Sequence, residues 1–137
     1  MTRFLDTNIL LRHLLNDHPV HSPASFALIQ AVERRKLTVW TSNLAIAEVV
    51  FVLTSKRTYN LPREDVRDRL LPLIDLPSLK LANKRVYHRA FDLYVSLAGL
   101  SFVDAYHAAL LERRSEPELY SFDTDFDGIH TVRSVEP

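Results

Sequence analysis

Arg3-Phe4-Leu5-Asp6-Thr7-Asn8-Ile9-Leu10-Leu11 is a short apolar run broken off by an acid, after which leucines recur at the spacing of a helix. A strand that ends where a helix begins is the repeating junction of open α/β folds, and side chains at that junction line the crevice where such folds bind ligands. Asp6 is therefore a site candidate by position. Asp is also a favoured helix cap, and capping alone would account for it. Three further acids, Glu48, Asp104 and Asp123, recur in equally apolar surroundings, and together they shift the balance toward a shared site.

Outward from this junction the pattern alternates. Leu10, Leu11, Leu14 and Leu15 predict a first helix, closed by the loop Asn16-Asp17-His18-Pro19, and Ser22-Pro23 reads as cap and first residue of a second. Leu37 to Thr41 predicts a strand, and Ser42 or Asn43 caps a helix to about Ser55 that is apolar nearly all round and so expected at the centre of the fold. Pro62 opens a fourth helix, which Pro72 is placed to kink or shorten. Leu79 to Ala82 reads as a strand, Asn83 as the cap of a fifth helix ended by Gly99, and Ser101 as the cap of a sixth from Phe102 to about Arg114. Strands over Leu119 to Phe122 and His130 to Val135 finish the chain. The expected class is α/β, three layers deep (α/β/α), with a central, mostly parallel sheet of four to five strands in one domain over residues 1–137.

Composition narrows the chemistry. Zero cysteines exclude disulfides, thiolate metal sites and a cysteine nucleophile, and suit a reducing cytosol, so a cytoplasmic protein is expected. Asp6 arrives too early for a signal peptide, and the weakly charged stretch from Leu37 to Ser55 carries Glu48 at a depth where a membrane span would be penalised by about 3 kcal/mol. No membrane association is expected. The 17 basic and 17 acidic residues balance, yet setting the four candidate acids aside leaves 13 acids against 17 bases. An acidic pocket in a mildly basic surface suits a metal-dependent enzyme acting on phosphate chains, although solvated helix faces account equally for any single basic cluster. Arg12, Lys56, Arg57, Lys84 and Arg85 are candidates for a phosphate track.

Glu48 is the only polar side chain between Leu44 and Leu53, with no lysine or arginine within a helical turn. If buried, its carboxylate must be protonated, paired across the fold or bound to a cation. Asp104 lies in the first turn of its helix, where the dipole favours negative charge, with His107 as an alternative local partner. Asp123 ends a strand expected to be buried, with Asp125 and Asp127 behind it. That last run lacks the central glycine and closing glutamate of an EF-hand, and turn chemistry explains Asp127-Gly128 by itself. Four carboxylates brought together repel one another unless a divalent cation compensates, and all-oxygen ligation without cysteine selects Mg²⁺ or Mn²⁺ over zinc. His18 and His21, in the loop around Pro19, make a poor zinc site. Metal-assisted phosphodiester hydrolysis fits this set, whereas a nucleophile elbow and a glycine-rich phosphate loop are both missing from the sequence.

Leu5-Asp6-Thr7-Asn8, the Ala-x-Glu helix containing Glu48 after Thr41-Ser42, the Phe-x-Asp-Ala helix containing Asp104, and Ser121-x-Asp123-x-Asp125-Phe126 together resemble the PIN domain, in particular the VapC-like ribonuclease toxins. The resemblance covers essentially the whole chain. It implies an endoribonuclease with a Mg²⁺- or Mn²⁺-binding pocket formed by Asp6, Glu48, Asp104 and Asp123, with Asn8 and Ser121 in support and Asp125 as a further ligand candidate. It also implies an RNA substrate, a homodimer and a small antitoxin that restrains the enzyme. Two other readings are kept beside it: an aspartyl-phosphate phosphatase using Asp6, weakened by Asn8 in place of a second acid, and a non-catalytic module that only grips a metal or a peptide.

Overall fold

Arg3–Phe4 (β1) pairs in parallel with Val39–Trp40 (β2), and β2 pairs in parallel with Leu79–Lys80 (β3), so that Arg3 faces Val39 and Val39 faces Leu79. Parallel neighbours need long crossovers, which here are helical. Thr7–Leu15 (α1) and His21–Glu33 (α2) join β1 to β2, and Asn43–Thr54 (α3) and Arg63–Ile74 (α4) join β2 to β3. The computed structural model describes residues 1–137, which divide into two compact units, Met1–Lys84 and Arg85–Pro137. These strands and helices make up the first.

Local chemistry sets the ends of these elements. Ser42 caps α3, its Oγ accepting from the Ala45 N–H at 3.1 Å. α2 starts earlier than the Ser22-Pro23 reading expects, because His18 takes over the capping. Its Nδ1 accepts from the N–H groups of Val20 (3.2 Å) and His21 (2.9 Å), while Ser22 Oγ accepts from the His18 N–H at 3.1 Å. Asn16 closes α1 in the left-handed region at φ 51°. Pro72 lies inside α4 without stopping it short, since Leu70, Leu73 and Ile74 are buried and hold the last turn in place.

The core of this unit is aliphatic, with Leu10, Ile29, Val32, Val39, Ile46, Val49, Leu53, Leu70, Ile74 and Leu79 all buried. α1 packs on α2 and α3, and α3 on α4. Burying each such side chain stabilises by roughly 1.5–3 kcal/mol. α3 departs from the central position expected of it. Ile46, Val49, Val50 and Leu53 face the core, but Leu44 and Phe51 are 82% and 72% exposed, so one side of this nearly all-apolar helix is open.

In the second unit, Tyr87–Ser96 (α5) packs against Phe102–Glu112 (α6). Phe102 meets Phe91 at a centroid separation of 5.0 Å and Tyr94 edge-on at 5.6 Å. Asn83 does not cap α5: it sits at φ 56°, and a 3₁₀ turn over Lys84–Val86 intervenes. α5 stops at Ser96, ahead of Gly99, whose φ is not positive. Ser101 caps α6 as expected. Glu118–Tyr120 (β4) pairs in parallel with Arg133–Val135 (β5), reinforced by an Arg133–Glu118 ion pair at 2.6 Å.

The α/β class with parallel strands is as expected, but five strands do not join into one sheet. Three pair in the first unit and two in the second. The stretch expected as a buried strand leaves its apolar side chains in water, with Tyr120 in β4 and Phe122 just beyond it each 78% exposed. No helix is long and apolar enough to cross a membrane.

Candidate active site

β1 delivers Asp6 to a fixed place. The Leu5 N–H donates to the Trp40 carbonyl at 2.8 Å, and the buried Thr41 hydroxyl donates to the Leu5 carbonyl at 3.0 Å. Leu5 itself is buried. The residue before Asp6 is thus held on both polar groups and by packing, and Asp6 emerges at the N-cap position of α1 with extended backbone, φ −74° and ψ 154°. Its side chain makes no capping hydrogen bond. The capping explanation of Asp6 therefore fails on geometry, and an exposed carboxylate stands at the positive end of a helix with no structural duty.

Glu48 is bonded to the residue that follows Asp6. The Thr7 hydroxyl, buried in the first turn of α1, donates to Glu48 Oε2 at 2.9 Å across forty-one residues of sequence. Glu48 is not the buried acid that its apolar neighbours suggest. It is exposed, because it lies on the open side of α3 with Leu44 and Phe51. Water and one hydroxyl, rather than an arginine, accommodate its charge. Thr7 and Thr41 are the residues that sequence reading passes over. Their signal was a hydroxyl on each side of the junction, in Asp6-Thr7-Asn8 and Trp40-Thr41-Ser42, inside otherwise apolar runs.

The second unit carries the other two acids. Asp104 is half-buried in the first turn of α6, and its N–H donates to Ser101 Oγ at 3.1 Å. The pairing with His107 does not form; His107 is exposed, in a ring contact with Tyr106. Asp123 is exposed, and its N–H donates to Ser121 Oγ at 3.0 Å, so Ser121 shapes the turn that presents Asp123. Asp125 and Asp127 are exposed too, in a turn-rich loop pinned by the buried Phe126 and Ile129.

Ion pairs elsewhere engage Asp17, Asp68, Glu112 and Glu118, and none involves Asp6, Glu48, Asp104 or Asp123. The structure bonds Glu48 to Thr7, the residue after Asp6, and gathers no group of three or more His, Asp or Glu side chains suited to a metal. The donors available are hard carboxylate oxygens without a competing cation, which is the chemistry that Mg²⁺ and Mn²⁺ select. Two of the candidate phosphate contacts are engaged within the fold, Lys84 through its ammonium and Arg12 through one guanidinium nitrogen. Arg12 grips Asp17 through Nη1 at 2.6 and 2.7 Å, and Lys84 Nζ donates to the carbonyls of Leu76 (2.5 Å) and Leu79 (2.7 Å).

The first strand of this parallel α/β protein ends at an acid, and the next residue, Thr7, holds a second acid through its hydroxyl. The model of the PIN domain matches residues 3–130, and the chain belongs to that family. PIN domains are typically nucleases that use divalent metals. No curated protein matches the chain.

Proposed function

We propose that the chain is a cytoplasmic endoribonuclease dependent on Mg²⁺ or Mn²⁺ and the toxin of a toxin–antitoxin pair, with Asp6, Glu48, Asp104 and Asp123 as its catalytic and metal-holding residues. Asn8 and Ser121 support them, and Asp125 is a further ligand candidate. The observation that carries this reading is Asp6 itself: it occupies a helix N-cap and does not cap. A divalent ion, when bound, supplies the positive charge that offsets these carboxylates and the charge developing on the scissile phosphate. The remaining work falls to the chain. Thr7 holds Oε2 of Glu48 and leaves Oε1 free to accept a proton from an attacking water. Ser121 fixes the turn that presents Asp123.

Dimerisation and an antitoxin draw support from the apolar side chains left in water: Trp40, Leu44 and Phe51 in the first unit, Val103, Tyr120 and Phe122 in the second. Exposed apolar side chains of this size commonly mark protein interfaces when they are contiguous. Incubation of single-stranded RNA with the protein tests the reading. Internal cleavage is expected with Mg²⁺ or Mn²⁺, none with chelator, and none from well-folded Asp6→Asn; full activity in Asp6→Asn would overturn the assignment.

A further inference from the structure

Beside Asn8, two residues past Asp6, a cavity of 680 Å³ opens between α1 and α2. Its volume is that of a small-molecule site, which runs to about 300–1,000 Å³. Ile9 and Leu28 give it apolar surface, and Asn8, Arg12, His18 and His21 give it polar groups. The two imidazoles lie flat on one another, centroids 4.0 Å apart and planes 7° from parallel. The capping bonds to Nδ1 lock the His18 ring in place and leave Nε2 as its donor. Arg12 is equally fixed: Asp17 holds its Nη1 through both carboxylate oxygens, and the Tyr59 hydroxyl braces Asp17 Oδ2 at 3.0 Å. These planar groups are therefore ordered before anything binds, which lowers the entropic cost of binding.

We propose that this cavity receives one unpaired nucleobase of the RNA, stacked against the His18–His21 pair with its edge read by Asn8 and Arg12, and so selects the nucleotide placed next to the cleaved bond. The inference rests on the nuclease reading above. Single-stranded RNA is recognised by stacking bases on aromatic rings, His included, or on guanidinium planes and by hydrogen bonds to their edges. The cavity supplies each of these groups, and Asn8 on its lining is one residue past Thr7. A helical peptide would ask instead for a continuous apolar groove, and here polar groups interrupt the apolar floor.

Titration with the four nucleoside 5′-monophosphates in chelator, followed by NMR, isolates base binding from ions and cleavage. One monophosphate is expected to bind selectively, with His21→Ala weakening it about tenfold and His21→Phe, which retains an aromatic face, recovering most of the loss. Asp6→Asn is expected to bind the monophosphate as the unaltered protein does. Equal binding by the unaltered protein and His21→Ala overturns the proposal, as does a cavity that takes a helical peptide and no monophosphate. RNA cleavage with unchanged nucleotide preference in His21→Ala removes the base site and leaves the nuclease reading standing. Selective monophosphate binding by a protein that cuts no RNA does the reverse.

Discussion

Thr7→Val replaces the hydroxyl that joins α1 to Glu48 with a methyl of nearly the same shape. Thr7 is buried and its bond to Glu48 Oε2 is 2.9 Å long, so the geometry is that of a good hydrogen bond to a charged acceptor, worth roughly 1.5–3 kcal/mol when fully shielded. Glu48 is exposed, and water takes the place of the lost donor, which reduces the expected destabilisation to about 1 kcal/mol. For a chain of this size that is a fall in Tm on the order of 3–4 °C, read by circular dichroism. The effect on RNA cleavage is expected to be larger in proportion, about 10–100-fold, because the carboxylate is then free to leave the junction where Asp6 stands. Thr7→Ser keeps the hydroxyl and is expected to recover most of the activity. Unchanged cleavage by Thr7→Val, or an equal loss in Thr7→Ser, would refute a positioning role for this bond.

Three other outcomes follow from the surrounding structure. Burial holds the His13 imidazole below its ordinary pKa of 6.5, and its Nδ1 is buried without a partner. As pH falls below 6.5 the unfolded chain protonates first, so stability drops until the lower folded value is reached; His13→Gln is expected to remove that slope from urea midpoints taken between pH 7.5 and 5.5. Glu112 is held below the ordinary carboxylate range by Arg89, at 2.8 and 2.9 Å, with a lesser contribution from Thr131. Its stabilisation is present above 4.5 and lost as pH falls through the folded value, so Glu112→Gln is expected to flatten the acid limb of a stability profile. Lys84→Met strips two carbonyls, those of Leu76 and Leu79, of a charged donor and is expected to cost about 2 kcal/mol by chemical denaturation, with RNA cleavage preserved under native conditions.

The order of elements is legible in the sequence because helical periodicity and capping residues are local signals. Ser42 and Ser101 cap where expected, and the junction at Asp6 is where a strand gives way to a helix. What the sequence does not disclose is which apolar residues stay in water. The run from Leu44 to Leu53 reads as wholly buried, yet its open side carries Leu44, Glu48 and Phe51, and Tyr120 and Phe122 mislead in the same way at β4. Apolar surface left in water looks, in one dimension, like core. The capping of α2 by His18 was hidden for a different reason, since imidazole is an uncommon cap and Ser22-Pro23 offered a commoner one. Asp6, for its part, matches a cap in sequence and departs from one only in three dimensions, where its side chain bonds to no backbone N–H.

Titration of Mn²⁺ into the protein by calorimetry, with Asp6→Asn, Glu48→Gln, Asp104→Asn and Asp123→Asn measured alongside, bears most directly on whether these acids serve one ion. A single class of site weakened at least about tenfold by each substitution is expected, with circular dichroism unchanged. Mn²⁺ affinity that stays the same in Asp6→Asn and Glu48→Gln would contradict it.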